Sequence, residues 1–248
     1  MPRGRRRYDD GELRAGGSLR LMCGRYYRVG DKQAIAERFH VREIGDFVVA
    51  PDFNIAPTTF QPVIRLERES DVRELALMRW GLVPYFAKSL SEFKGFSTIN
   101  ARAETLATAA TWRGPFQRRR CLIPADGFYE WKRLDRAPKA AKQPFAVSLT
   151  SGSPMALAGL WDAWKEPTGE WLQSFAIVTT EANEIMAPIH DRMPVILHQR
   201  DWEEWLSRDD SRPPPAHLLR PYDSDAMRTA PCNPLVGNVR NNGPEMLH

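Results

Sequence analysis

Short alternating segments, each cut off by glycine or proline, restrict this chain to a strand-rich architecture. Pro62 to Glu67 and Glu74 to Trp80 place Val63, Leu75 and Leu77 at alternating positions, the period of a half-buried strand. Gly81 and Pro84 end the second run. Further strands are predicted at Arg120 to Pro124, Phe128 to Lys132, Pro144 to Leu149, Ala156 to Trp164, Leu172 to Thr179 and Pro194 to Leu197. Asp126-Gly127 reads as the turn of a hairpin joining the first two of these. Asp52 to Pro57 and the basic stretch Leu134 to Gln143 read as loops. Helices are few and short: Asp31 to Phe39, with Asp31 as cap and Ile35 and Phe39 on one face, Ala101 to Thr111, Glu181 to Met186, and Asp201 to Ser207 with Trp202, Trp205 and Leu206 turned inward. Many strands with a few short helices between them predict an α+β fold around a curled or barrel-like sheet.

The length of 248 residues fits one domain, and a 42% hydrophobic share supplies a core. No apolar run approaches the roughly 18 residues of a membrane span. Residues 1–21 hold six arginines against Asp9, Asp10 and Glu12 but no apolar stretch, so they do not read as a secretory signal. They are expected to be a disordered extension or a mis-assigned start, with residues 22–248 as the domain. A cytoplasmic location follows, nucleoid-associated in a bacterium. Beyond the extension, 29 basic residues face 28 acidic ones, so any nucleic-acid surface must come from local clustering. Three cysteines without a CxxC pair and five scattered histidines without HExxH give no metal site, and no cofactor is expected.

Cys23, Asn100, Glu130 and His190 are a nucleophile and plausible acid–base partners, and each has a plainer alternative. A lone cysteine is more often a small buried hydrophobe. Asn100 reads first as the cap of a helix beginning at Ala101. Glu130 lies within Phe128-Tyr129-Glu130-Trp131, where aromatic neighbours would desolvate a carboxylate that is otherwise an exposed strand residue. His190 sits between Pro188 and Pro194 in a stiff loop, a setting that structural histidines share.

Taken together, the motifs are more specific. Met22-Cys23-Gly24-Arg25, Phe53-Asn54-Ile55-Ala56-Pro57-Thr58, Trp80-Gly81-Leu82-Val83-Pro84, Ile99 to Thr105, Arg120 to Lys132, Ile189 to Val195 and Asn238 to Glu245 occur in that order. In this the chain resembles the SRAP family, the SOS-response-associated peptidases understood as abasic-site processing proteins, from Met22 to about Glu245. The resemblance implies an α+β fold with a central barrel and a DNA-binding channel that acts on abasic sites in single-stranded DNA, and a monomer is expected. It implies that Cys23 is the covalent residue, its amine and thiol closing a thiazolidine on the abasic aldehyde. Glu130 would move protons, His190 would assist imine formation and ring opening, and Asn100 would orient the lesion. Arg25, Arg102 and Arg192 are expected near phosphates, and Trp80 and Trp131 against flanking bases. The family's cysteine follows the initiator methionine, whereas here 21 residues precede Met22. Translation from Met22, self-cleavage of the extension and an inactive copy are the three explanations, with the first favoured. A cysteine autopeptidase is the alternative function, with Cys23 as nucleophile and His190 as base. A non-catalytic single-strand-binding module is a third.

Overall fold

The computed structural model describes residues 24–90, 98–135 and 141–248. In chain order the elements are β1 (Tyr26–Arg28), α1 (Lys32–Phe39), β2 (Glu43–Ile44), β3 (Asp52–Ile55), β4 (Phe60–Leu66), β5 (Arg73–Trp80), β6 (Asn100–Arg102), α2 (Ala110–Arg118), β7 (Arg120–Ala125), β8 (Gly127–Arg133), β9 (Lys142–Leu149), β10 (Met155–Lys165), β11 (Trp171–Glu181), β12 (Arg192–Pro194), α3 (Trp202–Leu206) and β13 (Met227–Pro231). Strands β5, β4, β7, β10 and β11 pair in that order. A parallel pairing of β11 with β5, at Ser174 opposite Arg79 and Phe175 opposite Trp80, closes them into a mixed barrel. A second sheet has the order β13-β9-β8-β1-β3. The α+β barrel expectation therefore holds.

Side-chain alternation sorts the core. On β7, Cys121, Ile123 and Ala125 join Met78, Trp80, Phe175 and the second sheet's Tyr26, Phe128 and Val147. Leu122 faces the other way, into a cluster with Ile35 and Phe39 of α1, Phe116 of α2, and Trp202 and Trp205 of α3. Asp31 caps α1 by accepting from Ala34 N at 2.9 Å, and Phe39 stacks on Trp202 with ring centres 4.8 Å apart. The Trp205 indole donates to Cys121 O at 2.9 Å, so its one polar atom is satisfied where the ring is fully buried.

Four local expectations are corrected. β7 and β8 are not a hairpin: β7 pairs with β4 and β10, and β8 pairs with β1 and β9. Asp126 is a corner between sheets, its carboxylate accepting from Val29 N at 2.6 Å. Gly127 is there for close approach, because a Cβ on it would stand 2.3 Å from Val147 O and 2.4 Å from the Tyr27 hydroxyl. Residues 100–102 are strand β6, not the start of a helix, because they pair in parallel with Ile177 to Thr179 of β11. The helix comes later, as α2, where Gly114 and Pro115 hide it from propensity. Asp52–Ile55 is a strand opposite β1 rather than a loop. Residues 184–189 form turns where a helix over Glu181 to Met186 was expected, organised by Asn183, whose side chain accepts from Met186 N and donates to Tyr222 O.

Candidate functional site

The second sheet carries the site. Period-two alternation along β8 sends Phe128 into the shared core and Tyr129 to the opposite face. Glu130 follows Phe128 by two positions and is only 2% exposed. Tyr129 is locked behind it, its hydroxyl donating to Phe53 O at 2.8 Å and its ring 5.3 Å from that of Tyr27. Burial and the nearby Asp126 push the Tyr27 phenol up to about 12, so it stays neutral. Glu130 opens into a cleft of about 500 Å³ bordered by Gly24, Arg25, Trp131, Lys132, Arg133, Lys142, His190 and Gly237 among others. Among the described residues Glu130 is the one carboxylate of that lining, against four permanent cations. Such a field attracts an anionic ligand.

His190 ends the turn from Met186, held by its own N–H on Met186 O at 2.9 Å. Its side chain is 8% exposed. Nδ1 lies 3.1 Å from both Arg192 N and the Asp191 carboxylate. These contacts demand opposite proton positions. The backbone N–H can only donate, so that contact uses Nδ1 as an acceptor, whereas a hydrogen bond to the two-thirds exposed Asp191 carboxylate would need a proton on the same nitrogen.

Arg25 leads into β1, fixed by Tyr129 N donating to Arg25 O at 3.0 Å. Its Nη1 donates to Asn54 Oδ1 at 2.8 Å and to Val236 O at 2.9 Å. Partial burial holds its pKa below the ordinary arginine value. Asn54, which stands within one of the sequence motifs but drew no role from it, also donates its two Nδ2 protons to Asn238 O and Asn241 O, with Val236 O a further 3.2 Å contact of the same nitrogen. The signal for it was an amide side chain in an apolar segment, which must find partners if buried.

Arg25, Glu130, Trp131 and His190 thus meet at one cleft. Cys23 lies outside the described residues. Asn100 stands on β6 opposite Ile177 and is not among the described residues lining the cleft. Arg102 is exposed at the end of the same strand. Arg192 is tied to Glu104 through both guanidinium arms and to Thr179 O at 2.8 Å, so it serves as a strut where a free phosphate ligand was expected. Trp80 is a clear correction. It is fully buried, its indole donates to Ile99 O at 3.0 Å, and its ring packs between Tyr26 and Phe175. It has no face for a base.

Two wider hollows, of about 850 and 860 Å³, lie away from these residues. Their arginines are largely matched by carboxylates, as in Arg65 with Glu74, Arg119 with Asp162, Arg118 with Asp210 and Arg208 with Asp71. The other two cysteines offer no nucleophile. Cys121 is fully buried, which drives its thiol pKa far up, and burial raises that of Cys232 to about 11. Among the described residues no group of histidine, cysteine and carboxylate side chains is placed to hold a metal, and no helix is long and apolar enough to cross a membrane.

The family described as SOS response associated peptidase (SRAP) matches residues 22–239. A Bacillus subtilis (strain 168) protein, abasic site processing protein YoqW, is 40% identical over 230 residues, spanning 91% of this chain and 99% of its own. Abasic site processing protein HMCES of Rattus norvegicus is 33% identical over 234 residues, spanning 79% of this chain and 64% of its own. A crystal structure of a Bacteroides thetaiotaomicron protein superposes with a TM-score of 0.78 at 25% identity, covering 91% of this chain and 98% of that one. With the motif order, the barrel and a match across most of its length in agreement, the chain belongs to the SRAP family.

Proposed function

We propose that this protein processes abasic sites in single-stranded DNA by linking to them covalently through Cys23. The observation that carries this reading is the shared cleft: a buried Glu130 and a largely buried His190 border the same cationic hollow as Gly24 and Arg25, the residues directly after Cys23. The curated relatives named as abasic site processing proteins support the substrate class.

The chemistry is balanced by groups of that cleft and one residue before it. A free Cys23 amine, with an ordinary pKa of about 7.7–8.0, is partly neutral near pH 7 and adds to the aldehyde of the ring-opened abasic sugar. Glu130 supplies a proton as the carbinolamine loses its hydroxyl as water, leaving an iminium. The Cys23 thiol then adds to the iminium carbon, its proton passing to Glu130, and a five-membered thiazolidine closes. The sum is one bond from carbon to nitrogen, one from carbon to sulfur, and one water released. His190 assists opening of the sugar, and Asn100 orients the lesion. Arg25, Lys132, Arg133 and Lys142 take the phosphates, and the half-buried Trp131 takes a flanking base. A stacked duplex would hide both the aldehyde and the bases, so single strands are the favoured substrate.

Removal of the preceding residues by Cys23 acting as a peptidase nucleophile is the second reading, motivated by the segment before Met22 and by the family's peptidase description. The test is to mix protein beginning at Cys23 with an abasic single-stranded oligonucleotide and denature it. A stable adduct that Cys23→Ala abolishes supports the linkage. A full adduct with Cys23→Ala refutes it.

A further inference from the structure

We infer that Asn54 is a positioning residue for DNA, acting by turning one edge of the Arg25 guanidinium toward a backbone phosphate. This rests on the proposed DNA-processing reading of the same cleft. Asn54 is 4% exposed and sits on β3, beside β1. Its Oδ1 accepts from Arg25 Nη1, and the second proton of that nitrogen goes to Val236 O. Both protons of Nη1 are therefore spent within the protein. The Nε and Nη2 protons form the opposite edge of the plane, the fork that matches two phosphate oxygens. Arg25 borders the cleft, so an anchored Nη1 leaves the fork as the part of the side chain available to a ligand.

The same amide builds the wall behind the fork. Asn54 Nδ2 meets Val236 O at 3.2 Å, Asn238 O at 3.0 Å and Asn241 O at 2.7 Å, gathering the segment that carries Gly237 to the cleft edge. Asn242 continues the seam, its side chain accepting from Phe53 N at 2.7 Å. Val236 and Met246 then pack against Tyr27 and Tyr129. An unanchored arginine would sample many rotamers and lose entropy on binding, whereas this one is held in advance.

The test uses equilibrium binding of a single-stranded oligonucleotide with a tetrahydrofuran abasic analogue, which has no aldehyde and cannot crosslink. For a single strand, each phosphate that the protein no longer neutralises lowers the slope of log affinity against log salt by about 0.7. Asn54→Ser keeps a hydroxyl that can serve a neighbouring carbonyl but is too short to reach Arg25. Asn54→Ala, Asn54→Ser and Arg25→Ala should each lower the slope by that amount and weaken low-salt binding about tenfold. In the Arg25→Ala background either change should have no further effect on the slope. A full wild-type slope in Asn54→Ser, or equal losses with and without Arg25, would overturn the inference. If wild-type protein shows no salt-dependent binding of the oligonucleotide, the DNA reading itself fails instead.

Discussion

Arg192 grips Glu104 with both guanidinium arms, Nη2 to Oε2 at 2.9 Å, and the same Nη2 reaches Thr179 O. This ties the turn after β6 to the start of β12, the strand that leads away from His190. The hydrogen bond from Arg192 holds the Glu104 carboxyl below its ordinary value of 4.5. A carboxylate whose folded pKa is depressed adds stability above its unfolded pKa, and that stability is lost as pH falls through the folded value. Glu104→Gln should therefore flatten the pH dependence of the melting temperature in the acid region below about 4.5. At pH 7 the loss should be small, about 0.5 kcal/mol, because the Glu104 side chain is half exposed and screened. Thermal melts across that range, with wild type alongside, check it. Unchanged acid dependence would remove Glu104 from the account.

Gly127→Ala should destabilise the fold by about 1–3 kcal/mol, since the new methyl would meet a backbone carbonyl that cannot move aside. Gly237→Ala, with nothing within 4 Å, should change stability by less than about 0.5 kcal/mol. Urea denaturation of the two variants reads the difference directly.

The two tryptophans expected from the sequence to meet DNA should separate. Trp80→Ala should cost about 3–5 kcal/mol in stability, the range for emptying a large buried ring. Trp131→Ala should leave folding closer to wild type and weaken single-strand binding by about 1–3 kcal/mol, the scale of one stacked base. Binding measured below the melting temperature of each variant distinguishes them. Full binding by Trp131→Ala would take that ring out of the interface.

The strands and the motif order were legible because alternation and punctuation are local. So were α1, with the Asp31 cap and its buried face within a few residues of each other, and α3, whose Trp202, Trp205 and Leu206 form one local buried face. What was missed depends on distant pairing. β6 is a strand only because β11 offers it a parallel edge, more than seventy positions away. Asp126-Gly127 has the letters of a hairpin turn, yet the close approach of Val147 O and the Tyr27 ring dictates the glycine. Trp80 looked available because a sequence cannot show which face of a strand is covered twice. Glu130, Arg25 and His190 come from three distant segments, and their order-preserving motifs, more than any chemistry in each segment, brought them together. The role of Asn54 was hidden because the carbonyls its Nδ2 meets lie 182 to 187 positions later and Arg25, which its Oδ1 holds, 29 positions earlier.

Glu130→Gln should slow adduct formation by roughly 10²–10⁴-fold while leaving affinity for the abasic analogue nearly intact, because the amide keeps the shape but cannot carry the proton. Single-turnover rates at saturating protein isolate that step. A weakened affinity with an unchanged rate would make Glu130 a binding residue.

The central claim is that the Cys23 amine, free of any preceding peptide, forms the linkage. A peptide nitrogen is not nucleophilic, because its lone pair is delocalised into the carbonyl. The most direct measurement is intact mass after denaturation of protein reacted with an abasic single strand at raised salt, which removes non-specific contacts by the arginines of residues 1–21. Protein beginning at Cys23 should gain the mass of the oligonucleotide less one water, and protein retaining residues 1–22 should gain nothing. Equal adduct on protein whose mass shows those residues still attached would contradict the account.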